Sequence, residues 1–376
     1  MTDEEQGDLS LLVDPDQPRR GRARHRRRRR LRTFIASVLA IAVIGGLLVG
    51  IFYGGRAILG SFGSIPDYAG AGSGSVKVRI NQGDTSSDIA TTLVKAGVVQ
   101  SERAFRDAAN ANPDSLTIQP GLYQLRAKMQ ASLALGRLLD PASRLFDVVT
   151  IPEGFTVEQV LLALSQATGA PLESFRSAAA QVDQLGLPAY SGGELEGFLF
   201  PATYELDPEA DPISILQTMV ARFTAMATSV DLEARAAAIG KSPYDVLTVA
   251  SMIQSESRVN GERGMIARVI YNRLSQGIPL GIDATTAYDL GKPGTELTTA
   301  DFRIDSPYNT RLNKGLPPTP ISNPGEASVE AALAPAPGPW TYYVLEDSAG
   351  HHFFTDSAAE FQAAKARCQA AGLGCG

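Results

Sequence analysis

The chain has 376 residues, with 34 Lys plus Arg against 40 Asp plus Glu, a formal net charge of -6. Its 44% hydrophobic and 20% charged content excludes wholesale disorder and a polytopic membrane protein, and its length allows two or three domains. Three His and two Cys leave little room for a multi-ligand metal site, and no cofactor is expected.

The net charge hides two populations. Residues 1–32 hold ten Arg and six acids, a local charge of +4, and the remainder of the chain carries -10. Thr33 to Gly55 follow as 23 consecutive uncharged residues, mostly Ile, Leu, Val, Ala and Gly. About 20 such residues cross the hydrocarbon layer as a helix, so residues 33–55 are predicted to be a single transmembrane helix, with a buried soluble helix as the alternative. The Arg run on its N-terminal side predicts a cytoplasmic tail over 1–32 and an extracytoplasmic body. It also makes anionic lipid of the cytoplasmic membrane the partner of the tail, and no nucleic acid is expected. Residues 56–75 are a Gly/Ser-rich linker, expected to be a flexible tether. Cys368 and Cys375 lie in a Gly-rich tail, 366–376, where an oxidising compartment allows a small disulfide.

In residues 76–149, Val76, Val78 and Ile80 alternate with Lys77 and Arg79, the pattern of a half-buried strand. Asn81 to Asp84 form a turn into a helix starting near Thr85, with Ile89, Leu93 and Val94 as its apolar stripe. A second helix, Glu102 to Ala109, follows Ser101 as N-cap, and Gly121 to Leu125 make a short returning strand. This strand, helix, helix, strand order resembles a LysM module, a fold that holds N-acetylglucosamine-containing glycans. A purely structural subdomain is the alternative.

Beyond Val148 an amphipathic helix is predicted around Val157 to Ser165, followed by Gly193 to Pro201, a Gly-bounded apolar segment carrying Glu194 and Glu196. Acids in such a setting are either satisfied by backbone donors or functional. Ser242-Pro243 opens a helix, with Ser as N-cap, Pro at the first position and Asp245 in the first turn. Its apolar stripe runs through Val246, Val249, Met252 and Ile253, and the next position on that face is Glu256. Burial there raises a carboxyl pKa and keeps it protonated, as a general acid must be. The alternative is that the helix end leaves the core and Glu256 faces solvent or pairs with Arg258. A further helix, Arg263 to Gln276, ends at Gly277 and carries Asn272 and Arg273 at its polar boundary. Pro279 to Tyr288 is expected to be a loop, followed by the loops around Ser306 to Thr310 and Gly315 to Gly325. Their Tyr and Asn side chains suit sugar rings and acetamido groups, although core packing explains any one of them singly.

Taken together, Glu196 to Pro201, Ala250 to Glu256, Tyr271 to Leu274, the run through Asp283, Thr285 and Tyr288, Ser306 to Thr310, Gly315 to Pro318, Asn323 to Gly325, and Gly350 to Phe353 resemble the endolytic murein transglycosylases, the YceG-like family known as MltG. The resemblance implies an α+β protein with one N-terminal transmembrane helix, a LysM-like subdomain over 76–149 and a mixed α/β catalytic domain over 150–365. It implies peptidoglycan glycan strands as substrate and cell-wall synthases as partners. Glu256 maps onto the family's catalytic Glu. Gln254 stands where many members have a second acid. The implied substrate-binding residues are Gln254, Asn272, Asp283, Thr285, Tyr308 and Asn309. The implied reaction cleaves the β-1,4 bond between N-acetylmuramic acid and N-acetylglucosamine and leaves 1,6-anhydro ends. Asp283 or Glu196 as a second carboxylate would instead make a muramidase-type hydrolase. A glycan-binding scaffold is the non-enzymatic alternative.

Overall fold

The computed structural model describes residue 35, residues 38–53 and residues 65–373. The predicted cytoplasmic tail, residues 56–64 of the linker, both ends of the predicted span and Cys375 lie outside the described residues. Residues 38–53 form helix α1, whose apolar side chains, Leu39, Ile41 and Ile51 among them, are exposed. Among the described residues no helix is long and apolar enough to cross a membrane. The chain divides into two units, Met1–Tyr68 and Ala69–Gly376. The second is a mixed α/β assembly of helices with three small antiparallel sheets.

Strand β1 (Ala71–Ile80) pairs along its length with β2 (Gly121–Met129), and β2 continues to β3 (Arg144–Leu145). The expected tether is therefore shorter than its composition suggested, because Ala71 and Ser73 pair with Met129 and Ala127. Backbone pairing overrides Gly/Ser composition here. Between the long strands lie α2 (Ser86–Lys95), closed by a Thr85/Asp88 capping box, and α3 (Glu102–Asn110), capped by Ser101. Helix α4 (Ala131–Leu139) follows β2. Arg79 on β1 pairs with Asp207 and, at 2.7 Å, with Glu209, joining this layer to the next.

That next layer is β4 (Asp147–Thr150) and β5 (Thr203–Leu206) with α5 (Val157–Thr168), α6 (Leu172–Ala179) and α7 (Pro212–Ser229), sharing one core through Val160, Leu164, Phe175, Leu199 and Met219. A second core surrounds α9 (Pro243–Glu256) and takes in α8 (Leu232–Ala238), α10 (Arg263–Gln276) and α12 (Glu326–Leu333). The Ser242/Asp245 capping box and Pro243 start α9 as the sequence implied. Its burial differs from the expected stripe: every residue from Val246 to Ile253 is buried, because the helix runs through the middle of the core. Gly197 lets the 194–201 segment close on α9. Its φ is +93°, and a Cβ there would lie 2.9 Å from Pro320 and 3.1 Å from Leu247.

Residues 283–288, expected to be loop, belong to helix α11 (Asp283–Leu290). Its N-cap is Ile282, which makes no side-chain cap, and adjacent Thr residues weaken its propensity, so tertiary packing supplies the helix. The chain ends in the hairpin β6 (Tyr342–Leu345) and β7 (His352–Thr355), then α13 (Ala358–Ala370). Helix α13 extends into the expected tail and buries Cys368, which is in a disulfide; the sequence holds one other cysteine, Cys375.

Candidate active site

Glu256 is the last residue of α9, where the buried helix reaches the surface of its core. It is half-buried, and burial pushes its carboxyl pKa up. The negative end of the helix dipole acts in the same direction. Four further groups act on it. The Tyr343 hydroxyl donates to Oε2 at 2.9 Å, and the charges of His352 and Arg258 also favour the ionised form, while that of Asp283 opposes it. Burial and the adjacent Glu256 raise the Tyr343 phenol well above its ordinary range, so it stays protonated and remains a donor.

The hairpin that delivers Tyr343 divides its side chains by the two-residue period of a strand. Tyr343, His352 and Phe354 share one face, with Tyr343 5.4 Å from the His352 ring and 5.9 Å from Phe354. Val344 and Phe353 pack with Phe361, Ala364 and Cys368 of α13, and Tyr342 stacks on Phe361 at 4.9 Å. One face therefore serves the site and the other is backed by the disulfide-bearing helix. His352 is fixed from behind: its Nδ1 lies 2.8 Å from Glu262 Oε2, and its backbone N–H donates to the same carboxylate.

The residues expected to touch sugar divide into two groups. Asp283 sits at the start of α11 and feels Glu256 electrostatically, while Arg311 Nη2 holds its Oδ1 at 2.6 Å. Tyr308 is half-buried, with its ring 5.4 Å from Tyr288 and its hydroxyl 2.9 Å from Thr319 Oγ1. These two remain candidates. The other four make hydrogen bonds within the frame. Thr285 has no exposed surface and bonds Ile282 O and the Thr310 hydroxyl. Asn309 is equally buried, and its amide donates to Phe302 O and Ile304 O. Asn272 donates to the carbonyls of Gly338 and Trp340, just before β6. Gln254 Oε1 accepts from Gly325 N–H and the Ser328 hydroxyl at the start of α12. Buried backbone groups need partners, and amide and hydroxyl side chains supply them as readily as they bind sugars.

Arg273 belongs to the same frame. Its guanidinium donates to Thr341 O at the base of the hairpin and to Leu280 O in the approach to α11, and it lies over the Tyr342 ring.

Glu196, considered above as a second carboxylate, is 8% exposed and committed elsewhere. It accepts from Val157 N–H at the N-terminus of α5, from the Asn323 amide and from the Tyr288 hydroxyl. Burial pushes its pKa up to about 7, against hydrogen bonds from the Val157 backbone, the Tyr288 hydroxyl and the Gly197 backbone. Among the described residues no cluster of His, Cys, Asp and Glu could hold a metal ion.

The YceG-like family profile matches residues 78–367. An endolytic murein transglycosylase of Bacillus subtilis strain 168 is 32% identical over 308 residues, 77% of this chain and 84% of that protein. One of Streptococcus pneumoniae R6 is 29% identical over 313 residues, 75% of this chain; the match spans only 56% of that protein. A solved structure of a yceG-like protein from Listeria monocytogenes matches at 27% identity and a TM-score of 0.54, over 77% of this chain and 99% of that one.

Proposed function

The chain belongs to the YceG-like family, and from that premise we propose that it is an endolytic peptidoglycan lytic transglycosylase with Glu256 as its single acid–base group. The observation that carries this reading is the setting of Glu256: a carboxyl with raised pKa at the open end of a buried helix, holding one side-chain hydrogen bond among the described residues.

Protonated Glu256 gives its proton to the oxygen bridging N-acetylmuramic acid to N-acetylglucosamine. The bond from that oxygen to C1 breaks, and oxocarbenium character develops at C1. The ionised carboxylate then takes the proton of the C6 hydroxyl as O6 bonds to C1, which closes the 1,6-anhydro ring and restores the acid. No water enters, so no second carboxylate is required. Commitment of Glu196 to three donors supports that economy, as does the pairing of Asp283 with Arg311. Asp283 and Tyr308 are assigned to the substrate side of the site.

The enzyme is anchored by residues 33–55, with its N-terminus in the cytoplasm and its body outside, where it cuts nascent strands near the membrane and limits their length. The Arg run before the 23-residue uncharged stretch supports this orientation, and the disulfide at Cys368 fits an oxidising compartment. The LysM-like layer supplies a glycan contact.

The full chain in detergent should convert purified peptidoglycan to fragments ending in 1,6-anhydro-N-acetylmuramic acid, read by mass spectrometry. Reducing ends would mean a hydrolase, and uncut glycan would mean a scaffold. Either result overturns the assignment.

A further inference from the structure

The Tyr343 hydroxyl occupies one oxygen of Glu256, and that has a chemical consequence. With the phenol O–H as the donor in this contact, Oε2 accepts, and the proton of the neutral acid then resides on Oε1. The hydroxyl cannot shed this role by ionising, because burial and the adjacent carboxyl keep it protonated. When Glu256 gives up its proton the same contact becomes charge-assisted and strengthens. It therefore favours the carboxylate that exists between the two proton transfers more than it favours the resting acid.

The donor is held from several sides. Glu262 fixes the His352 backbone and ring, and His352 meets Tyr343 edge-on at 5.4 Å. Arg273 and Asn272 bind the carbonyls of residues 338–341 leading into β6. Gly350, at the hairpin turn with φ +97°, comes so close to Arg258 that a Cβ would lie 2.8 Å from its Cβ. The hairpin thus closes on the residues just past Glu256.

We propose that Tyr343 is a positioning residue for the transglycosylase reaction, directing the acidic proton to Glu256 Oε1 and holding the carboxylate between its two proton transfers, with Glu262 and His352 as the lock on its hairpin. This rests on the assignment of Glu256 above. The charged and titratable groups facing Glu256 are Tyr343 from β6, His352 from β7, Asp283 from α11 and Arg258 after α9, and Arg273 from α10 faces Tyr343.

The test compares kcat, KM and the pH–rate profile of the full-length enzyme on purified uncross-linked glycan strands. Tyr343→Phe removes one oxygen and should lower kcat by about tenfold or more, with KM changed by less than about threefold. The alkaline limb, where activity is lost as Glu256 ionises, should move to higher pH, because a bond favouring the carboxylate is gone. A packing defect would lower thermal stability without moving that limb. Glu262→Gln should shift kcat in the same direction by less. If Tyr343→Phe fails to fold, 3-fluorotyrosine at position 343 keeps the shape and strengthens the donor, and it should move the alkaline limb to lower pH. A wild-type kcat and an unmoved limb in Tyr343→Phe, or an unmoved limb with 3-fluorotyrosine, overturns the proposal. Glu256→Gln in parallel separates the two claims: activity retained there removes the acid itself, whereas inactivity with a silent Tyr343→Phe removes only the positioning role.

Discussion

Burial raises the pKa of both Glu196 and Glu256 in the second unit, and their surroundings differ in kind. Glu196 lies where α5 begins, with N–H, amide and phenol donors on its oxygens and the positive end of a helix beside it. Glu256 lies where α9 ends, with one phenol donor and the negative end of a helix beside it. Burial raises both pKa values, so the shift alone does not separate a structural acid from a chemical one. The number of donors does. Glu196 is saturated and joins two cores; Glu256 keeps an oxygen for a proton it can give away.

The sharpest way to break this contrast is to neutralise each acid in turn. Glu256→Gln should reduce the release of anhydro ends by about a thousandfold or more, within the usual range for losing a general acid, while its melting temperature stays near that of the wild type. Activity surviving in that variant would mean the contrast assigns the wrong residue.

The packing that holds the Glu196 segment is tested next. Gly197→Ala places a methyl group against Pro320 and Leu247 in a left-handed backbone, and should cost about 3 kcal/mol in urea unfolding. A neutral effect would show that this segment yields.

Glu196→Gln addresses the electrostatic half. The wild-type carboxyl titrates from about 4.5 when unfolded to about 7 when folded. Its contribution to stability is therefore full below about 4.5 and is lost as pH rises through 7. Relative to the wild type, the Gln variant should gain on the order of 3 kcal/mol between pH 4.5 and 8, at about 1.4 kcal/mol per unit. Its activity should remain within about threefold. Thermal unfolding at the two pH values reads the first outcome, and a large loss of turnover would give Glu196 a chemical role.

The smallest effect belongs to the rim. Arg311→Ala removes the partner of Asp283 from a partly exposed pair and should change stability by less than about 1 kcal/mol. With Asp283 unpaired, its charge acts more fully on Glu256, so the alkaline limb of the rate profile should move upward.

Much of the frame was legible in the chain. Ser242, Pro243 and Asp245 announced α9, and helical spacing carried the eye from Val249 through Met252 to Glu256. Such signals are local, within one or two turns. Tyr343 had none: its partner lies 87 residues earlier, and it stands in an aromatic run without polar alternation. Asn272, Thr285 and Asn309 show the converse limit. An amide or hydroxyl in a Pro-rich neighbourhood suits a sugar or a stranded carbonyl equally well, and only the fold reveals which is nearer. Helix α11 carries no local signal either, being eight residues long, with an uncapped start and two β-branched threonines.

The two-faced hairpin also bears on the order in which the protein is made. Synthesis runs from the N-terminus, so Glu256 leaves the ribosome well before Tyr343, and α13, which backs the hairpin, comes later still. A chain stopped before residue 342 would already contain its acid and both large cores, yet lack the strand that aims the proton. On the proposed mechanism the enzyme is then weakest before the hairpin and α13 are made, and these elements act as a timer on its own chemistry.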